Sequence, residues 1–341
     1  MAWKGSGVRF SLAPLAAVAG SSTGGSRGLA ARPRAHYRRR VADPPVRYRS
    51  PDEDSARWEG FAFREGDIVI STRSKSGTTW VQMICALLVF QREDLPEPLG
   101  QLSPWMDWLV TPRHEVHARL DHQPHRRLIK THTPLDGIPL DAGATYLVVG
   151  RHPLDLAVSL YYQGDNLDRN RLQDLTGQAR VASTTGRPEL HDWLLAWIDW
   201  AGSPSEQLDS LPGVMWHLGD AWRRRHQPNV VLVHYDELCR DLDGQMRSLA
   251  ARLGIDVHED RWPELVDAAG FERMRDRADQ LVPDPVGVLK HPTRFFRRGT
   301  SGAGREVLTA AELERYHQRA ATMAPSDLLA WLHRDATPAA G

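Results

Sequence analysis

Asp67-Ile68-Val69-Ile70-Ser71-Thr72-Arg73-Ser74-Lys75-Ser76-Gly77-Thr78-Thr79-Trp80 is the stretch that decides the fold. It begins as a short β-rich run centred on Ile68, Val69 and Ile70, and Ser74 to Gly77 end that run. From Thr79 to Gln91, Trp80, Ile84, Leu87 and Leu88 recur at helical spacing. Strand, glycine-containing loop and helix make an anion site. The helix start offers unpaired N–H groups and a positive dipole end, Gly77 admits backbone close to a ligand, and Lys75 adds a full charge. An N-capped helix without chemical role would use similar residues. A Walker A loop requires Gly-x4-Gly-Lys-[Ser/Thr]; here Lys75 precedes the loop's only glycine, which disfavours a P-loop-type kinase.

Outward from this loop, strands are expected at Leu128 to Thr131, Thr145 to Gly150 and Asn229 to Tyr235. The second of these is nearly uninterrupted apolar sequence, as in a parallel sheet covered on both faces. Helices are expected from Met106 to Asp121, from Pro153 to Gln163, at 189–200, 214–226, 243–253, 262–269 and 271–278, and near the C-terminus. Residues 164–187 are polar and rich in Gly and Thr, and are expected to form a mobile loop. Strands alternating with helices predict a single α/β domain: a doubly wound, mostly parallel sheet flanked by helices, P-loop-like in its first turn.

The 341 residues carry 43 basic and 43 acidic side chains, unevenly spread. Residues 1–50 hold ten Lys/Arg and one acid, Asp43, for a charge of +9, so the remainder carries −9. A basic nucleic-acid-binding body is excluded. Residues 1–45 read as a disordered basic tail, 46–335 as the folded domain and 336–341 as a flexible end. The run from Phe10 to Gly20 behind Lys4 and Arg9 is a weak signal-peptide pattern, interrupted by Pro14, and an Arg-rich transit peptide is the other targeting alternative. No apolar run reaches 18 residues, so no transmembrane helix is expected. Cys85 and Cys239 are the only cysteines, consistent with a cytoplasmic protein.

Four segments, in order, carry a family resemblance. Lys75-Ser76-Gly77-Thr78-Thr79-Trp80 resembles the 5′-phosphosulfate loop of cytosolic-type sulfotransferases, which use 3′-phosphoadenylyl sulfate (PAPS). Arg151-His152-Pro153-Leu154-Asp155-Leu156-Ala157-Val158-Ser159 resembles the family's 3′-phosphate motif, with Arg and Ser eight residues apart. Phe295-Phe296-Arg297-Arg298-Gly299-Thr300-Ser301-Gly302 resembles the segment that closes over that phosphate. Arg127-Leu128-Ile129-Lys130-Thr131-His132-Thr133-Pro134 is similar to the strand bearing the family's catalytic histidine. Ser103-Pro104-Trp105, Lys130 to Gly137 and Leu328-Leu329-Ala330-Trp331 look most like the bacterial glycolipid branch.

The resemblance implies sulfuryl transfer from PAPS to an acceptor hydroxyl of a glycolipid or other apolar alcohol, without a metal. His132 would be the general base, Lys130 would stabilise the sulfuryl oxygens and Lys75 the leaving phosphate. Ser159 and Arg151 would bind the 3′-phosphate, with a link between Ser159 and Lys75. Ser76, Gly77, Thr78 and Thr79 would cradle the 5′ end. Trp80 and Phe271 would sandwich the adenine, Tyr235 would bond the nucleotide, and Phe295, Arg297, Arg298 and Gly299 would close the site. Arg305-x3-Thr309-Ala310-x3-Glu314 is close to the family's dimer motif and implies a homodimer. Ala269-Gly270 and Ala303-Gly304 depart from the family pattern and bear on donor binding and loop closure. A phenol sulfotransferase, a P-loop-type kinase and a PAP-binding protein without turnover are the alternatives.

His114, His117, His122 and His125 lie among charged residues and read as a solvated helix and turn rather than a metal site. Trp193, Trp197 and Trp200 share one helix face and read as core, although with Trp105 and Trp108 they could line an apolar acceptor cleft. Arg223-Arg224-Arg225 reads as an exposed helix end.

Overall fold

A computed structural model describes residues 44–179, 186–282, 284 and 286–334. The expected tail up to residue 43, the expected flexible end at 336–341, and residues 180–185 of the expected loop lie outside the described residues. β1 (Ile68–Thr72), β2 (Leu128–Thr131), β3 (Thr145–Gly150) and β4 (Val230–His234) form one parallel sheet in the order β2-β1-β3-β4. Ile68 pairs with Leu128 on one side and Thr145 on the other, and Tyr146 pairs with Val230.

The pleat sorts the strand residues into two cores. Val69, Ile129, Tyr146 and Val148 face one; Ile68, Ile70, Leu147 and Val149 face the other. Helices Pro153–Asn166, Leu190–Asp199 and Leu211–Arg224 cover the first, and Thr78–Phe90, Leu242–Leu253 and Trp262–Ala269 the second. With both faces covered, the strands have no solvent side, and this is why they read as apolar runs. At the foot of the sheet Arg127 and Asp67 form a fully buried bidentate pair at 2.5 and 2.8 Å. Truncating either partner would leave a buried charge alone, at about 3–5 kcal/mol.

The strand order places the site. From β1 the chain crosses to β2 on one side, and β3 returns on the other, so the winding reverses between β1 and β3. In such sheets ligands enter the crevice outside the carboxyl ends of the strands at that reversal. There β1 runs out at Thr72 into the Ser74–Gly77 loop, and β3 runs out at Gly150 into Arg151.

Four local expectations are corrected. The helix expected over Met106 to Asp121 spans only Arg113–His122. Its missing first part commits its backbone elsewhere: Met106 N–H donates to the Lys130 carbonyl, the Asp107 carbonyl accepts from Asp54, and Leu109 N–H donates to Asp52. The loop expected at 164–187 contains a helix, Arg169–Thr176, capped by the Asp168 carboxylate on Arg171 N–H and stopped by left-handed Gly177. Tyr235 opens a short helix, Tyr235–Arg240, instead of closing β4, and the helix expected at 271–278 breaks into Phe271–Asp276 and Ala278–Leu281.

Candidate functional site

Helix Thr78–Phe90 starts without a side-chain cap, so its first-turn N–H groups find no partner within the helix. Gly77 supplies the N-cap at φ 105°, and a Cβ there would stand 2.9 Å from the Tyr235 ring. Only glycine meets both demands. Lys75 is itself left-handed at φ 65°, a costly choice for a lysine that turns its side chain into the crevice. Its Nζ lies 3.3 Å from Gln163 Oε1, 3.4 Å from the Phe295 carbonyl and 3.9 Å from the centre of the Phe295 ring. Burial, then the neighbouring cations Arg151, Lys130 and Arg297, push the Lys75 ammonium down to about 7. No hydrogen bond joins Ser159 to Lys75; Gln163, one turn further along the same helix, takes that place.

Arg151 bridges loop and lid. Its Nη1 donates to the Lys75 carbonyl at 3.0 Å, its Nη2 to that of Thr300 at 3.5 Å, and its guanidinium lies 4.1 Å from the Tyr235 ring centre. Its buried Nε has no partner among the described residues, a donor left over for a ligand. The segment after Phe295 is latched by two carboxylates: Asp155 accepts from the Gly302 and Gly304 amides at 2.8 Å each, and Asp236 accepts from Ser301. Ala303 is buried and a Cβ on Gly304 would collide with Leu154, so the Ala303-Gly304 departure belongs to a closed segment. Gly299, at φ 66°, lies on the Phe271 ring, where a Cβ would come within 2.6 Å. Trp80 Nε1 donates to the Ala269 carbonyl, so a backbone oxygen serves at the other departure.

At the far end, β2 delivers Lys130 and His132. Asp107 is fully buried: Oδ1 accepts from Trp58 Nε1 at 2.8 Å, and Oδ2 from Thr131 Oγ1 at 2.5 Å and from His132 N–H at 2.7 Å. The His132 ring donates through Nδ1 to the Thr72 carbonyl at 2.6 Å. A carbonyl only accepts, so Nδ1 carries the proton and Nε2 the lone pair. Burial, then the Lys130 and Arg73 charges, hold the ring well below the ordinary histidine range, hence neutral. Lys130 Nζ makes no hydrogen bond among the described residues; it sits 3.6 Å from the centre of the Trp105 ring, and burial lowers it to about 8.

One cavity of about 290 Å³ runs between these ends. Every residue expected in the site lines it except Ser76, which is buried and returns its N–H to the Arg73 carbonyl. Trp105 and Trp108 line it too, whereas Trp197 is core and bonds the Asp209 carbonyl. Arg298 pairs with Glu306 at 3.1 Å. Among the described residues no group of three His, Cys, Asp or Glu is placed to hold a metal; His117, His122 and His125 each meet a backbone carbonyl. Sequence reading missed Asp107, Asp155, Gln163 and Glu53, which also lines the cavity. Asp155 stood inside a recognised motif; the others carry no spacing signal.

The model of the sulfotransferase domain matches residues 65–324. The chain belongs to the sulfotransferase family. This sulfotransferase is 40% identical over 318 residues to a glycolipid sulfotransferase of Mycobacterium bovis (strain BCG / Pasteur 1173P2), covering 84% of this chain and 94% of that one. It is 26% identical over 283 residues to mouse sulfotransferase 2B1, covering 80% and 75%. Its fold matches a retinol dehydratase in complex with androsterone and inactive cofactor PAP (TM-score 0.59, 17% identity, 82% and 85% covered). A mouse sulfotransferase complexed with PAP matches equally (TM-score 0.59, 18% identity, 81% and 91% covered). The sulfotransferase therefore draws its sulfuryl group from PAPS, the family's donor, and the kinase alternative falls. No helix among the described residues is long and apolar enough to cross a membrane.

Proposed function

We propose that this enzyme transfers the sulfuryl group of PAPS to a hydroxyl of a glycolipid, with His132 as general base. The observation that carries this reading is one cavity holding Lys75, Arg151 and Ser159 at one end and Lys130 with a tautomer-fixed His132 at the other. The end with the uncapped helix, Lys75 and Arg151 suits the phosphates of the donor, and Trp80, Phe271 and Tyr235 beside it suit an adenine. His132 Nε2 would take the acceptor proton while Lys130 meets the charge spread over the sulfuryl oxygens. The glycolipid acceptor is supported by the 40% identical relatives of that name and by the Trp105–Trp108 surface. Thermal shift tests the reading. PAP at 100 times its dissociation constant adds about 2.7 kcal/mol, several degrees for a domain of this size, and ADP should add far less. Equal shifts would remove it.

The lysines give a pH signature. In the free protein Lys75 sits near about 7, lowered by burial and then by neighbouring cations, and Lys130 near about 8, lowered by burial against the partial support of Glu53 and Asp107. Donor phosphates supply the missing counter-charge and raise both. At pH 8, binding PAP should therefore take up about one proton at Lys75 and about half of one at Lys130. Affinity should fall as pH rises from 7 to 9. Calorimetry in two buffers of different ionisation enthalpy reads the uptake; equal heats and a flat affinity would contradict it.

We also propose that residues 46–335 suffice for catalysis and that Arg305–Glu314 forms a homodimer contact. A chain trimmed to 46–335 should keep its rate and scatter light as twice its own mass. A soluble but inactive product, or a monomer, would count against the respective half.

A further inference from the structure

Four carboxylates line the cavity: Asp52, Glu53, Asp209 and Asp284. Three of them are spoken for. Asp52 accepts from Gln178 at 3.3 Å, Asp209 pairs with the buried guanidinium of Arg73 at 2.7 Å, and Asp284 accepts from the Val288 and Leu289 N–H groups at 2.8 Å each. The Glu53 carboxyl has no hydrogen bond and no ion pair within 4 Å among the described residues. Its charged neighbours are Arg73, Asp209, Asp107 and Lys130, none of them in contact with it. Burial pushes it up to about 8, so near neutrality it is chiefly a neutral acid, able to donate and accept. A neutral acid also spares the incoming sulfuryl group a like charge.

Glu53 is fixed in place. It forms an antiparallel bridge with Trp108, its N–H donates to Ser50 Oγ at 3.0 Å, and its carbonyl accepts from Ser50 N–H at 2.8 Å. Trp108 is stacked on Trp105, 5.1 Å between centres and 13° between planes, and Trp105 meets the His132 ring edge-on at 4.6 Å. The Trp105 indole N–H is buried without a hydrogen-bond partner among the described residues. A flat aromatic pair, an unpartnered indole donor and an unpartnered carboxyl on the same cavity as the base form a chemical combination. It suits a ring with apolar C–H faces and hydroxyl edges, and a plain alkyl or phenolic alcohol would leave its polar part unused.

We propose that Glu53, with the Trp105–Trp108 pair, is the specificity-determining group that reads a sugar ring in the acceptor, its carboxyl hydrogen-bonding a hydroxyl next to the one that is sulfated. This deepens the acceptor reading above and rests on it. Octyl glucoside and 1-octanol share a chain and differ in the sugar, so they are the probes, assayed with PAPS on wild type, Glu53→Ala and Glu53→Gln. Glu53→Ala should raise KM for octyl glucoside about tenfold and leave KM for octanol within about twofold, since only the sugar loses a partner. Glu53→Gln, which still donates and accepts, should recover most of the loss, and the PAP melting shift should be the same in all three proteins. A wild type that prefers octanol, equal losses on both acceptors, or no loss on the glucoside would overturn the proposal. A wild type that PAP does not stabilise would instead remove the donor reading beneath it.

Discussion

Replacing His132 with alanine is expected to lower kcat about a thousandfold while PAP still raises the melting temperature as in the wild type. The ring is not a generic buried histidine. Its Nδ1 proton is committed to the Thr72 carbonyl, its backbone N–H to Asp107, and its Nε2 is left as a lone pair on the cavity. Burial first, then the Lys130 and Arg73 charges, keep it neutral in the free enzyme, so it is ready to accept a proton at any pH near 7. A base held so low would be weak by itself. The anionic donor, bound beside Lys75 and Lys130, offsets the cations that depress it and strengthens it when the acceptor oxygen gives up its proton. The expected profile is therefore separable into two measurements: turnover collapses, and donor-induced stabilisation does not. A variant that turns over at the wild-type rate would end the assignment. Loss of both turnover and stabilisation would move His132 to a structural role. Asp107→Asn serves as the companion, since it keeps the shape while weakening the grip on Thr131 and His132. Its effect should be smaller and fall on kcat rather than on donor binding.

What the sequence made legible here is what short-range pattern can encode. The strand, loop and helix around Lys75 were readable because a buried parallel strand has no polar side and an anion-binding turn needs Gly77 at one defined place. The four strands followed for the same reason. The segment from Met106 to Thr111 was not readable: it has helical periodicity, yet it spends its backbone on Lys130, Asp54 and Asp52 and its aspartate on β2, and those partners lie up to 57 residues away in sequence. Tertiary bonds overrode local propensity. The helix Arg169–Thr176 was missed for the opposite reason: it buries none of its residues, and only Asp168 and Gly177 marked its ends. In the site, charged residues at motif positions were legible, whereas Glu53, Gln163 and Asp107 were not. Their placement depends on which loops meet over the crevice, and no spacing in one chain records that.

Arg151→Ala is expected to weaken PAP about a hundredfold and ADP far less. The argument starts from what Arg151 lacks. It is 7% exposed, and no carboxylate among the described residues forms an ion pair with it, so its charge faces two backbone carbonyls and the Tyr235 ring. Its Nε is buried and idle. A buried guanidinium so placed is a receptor for a dianion, since an incoming phosphate can take up the free N–H and supply the missing charge. Charge-assisted hydrogen bonds contribute about 1.5–3 kcal/mol each, and two of them set the hundredfold scale. The same side chain also ties the Lys75 carbonyl to Thr300 of the closing segment, so its loss should loosen loop and lid together. The two contributions separate by ligand. A 3′-phosphate contact affects PAP and spares ADP, which has no 3′-phosphate; a loosened loop affects both. Calorimetric titration of PAP and ADP into wild type, Arg151→Ala and Arg151→Lys decides between them. Lysine keeps the charge without the planar fork, and it should restore part of the PAP affinity. Equal losses for PAP and ADP would reassign Arg151 from reading the nucleotide to holding the loop.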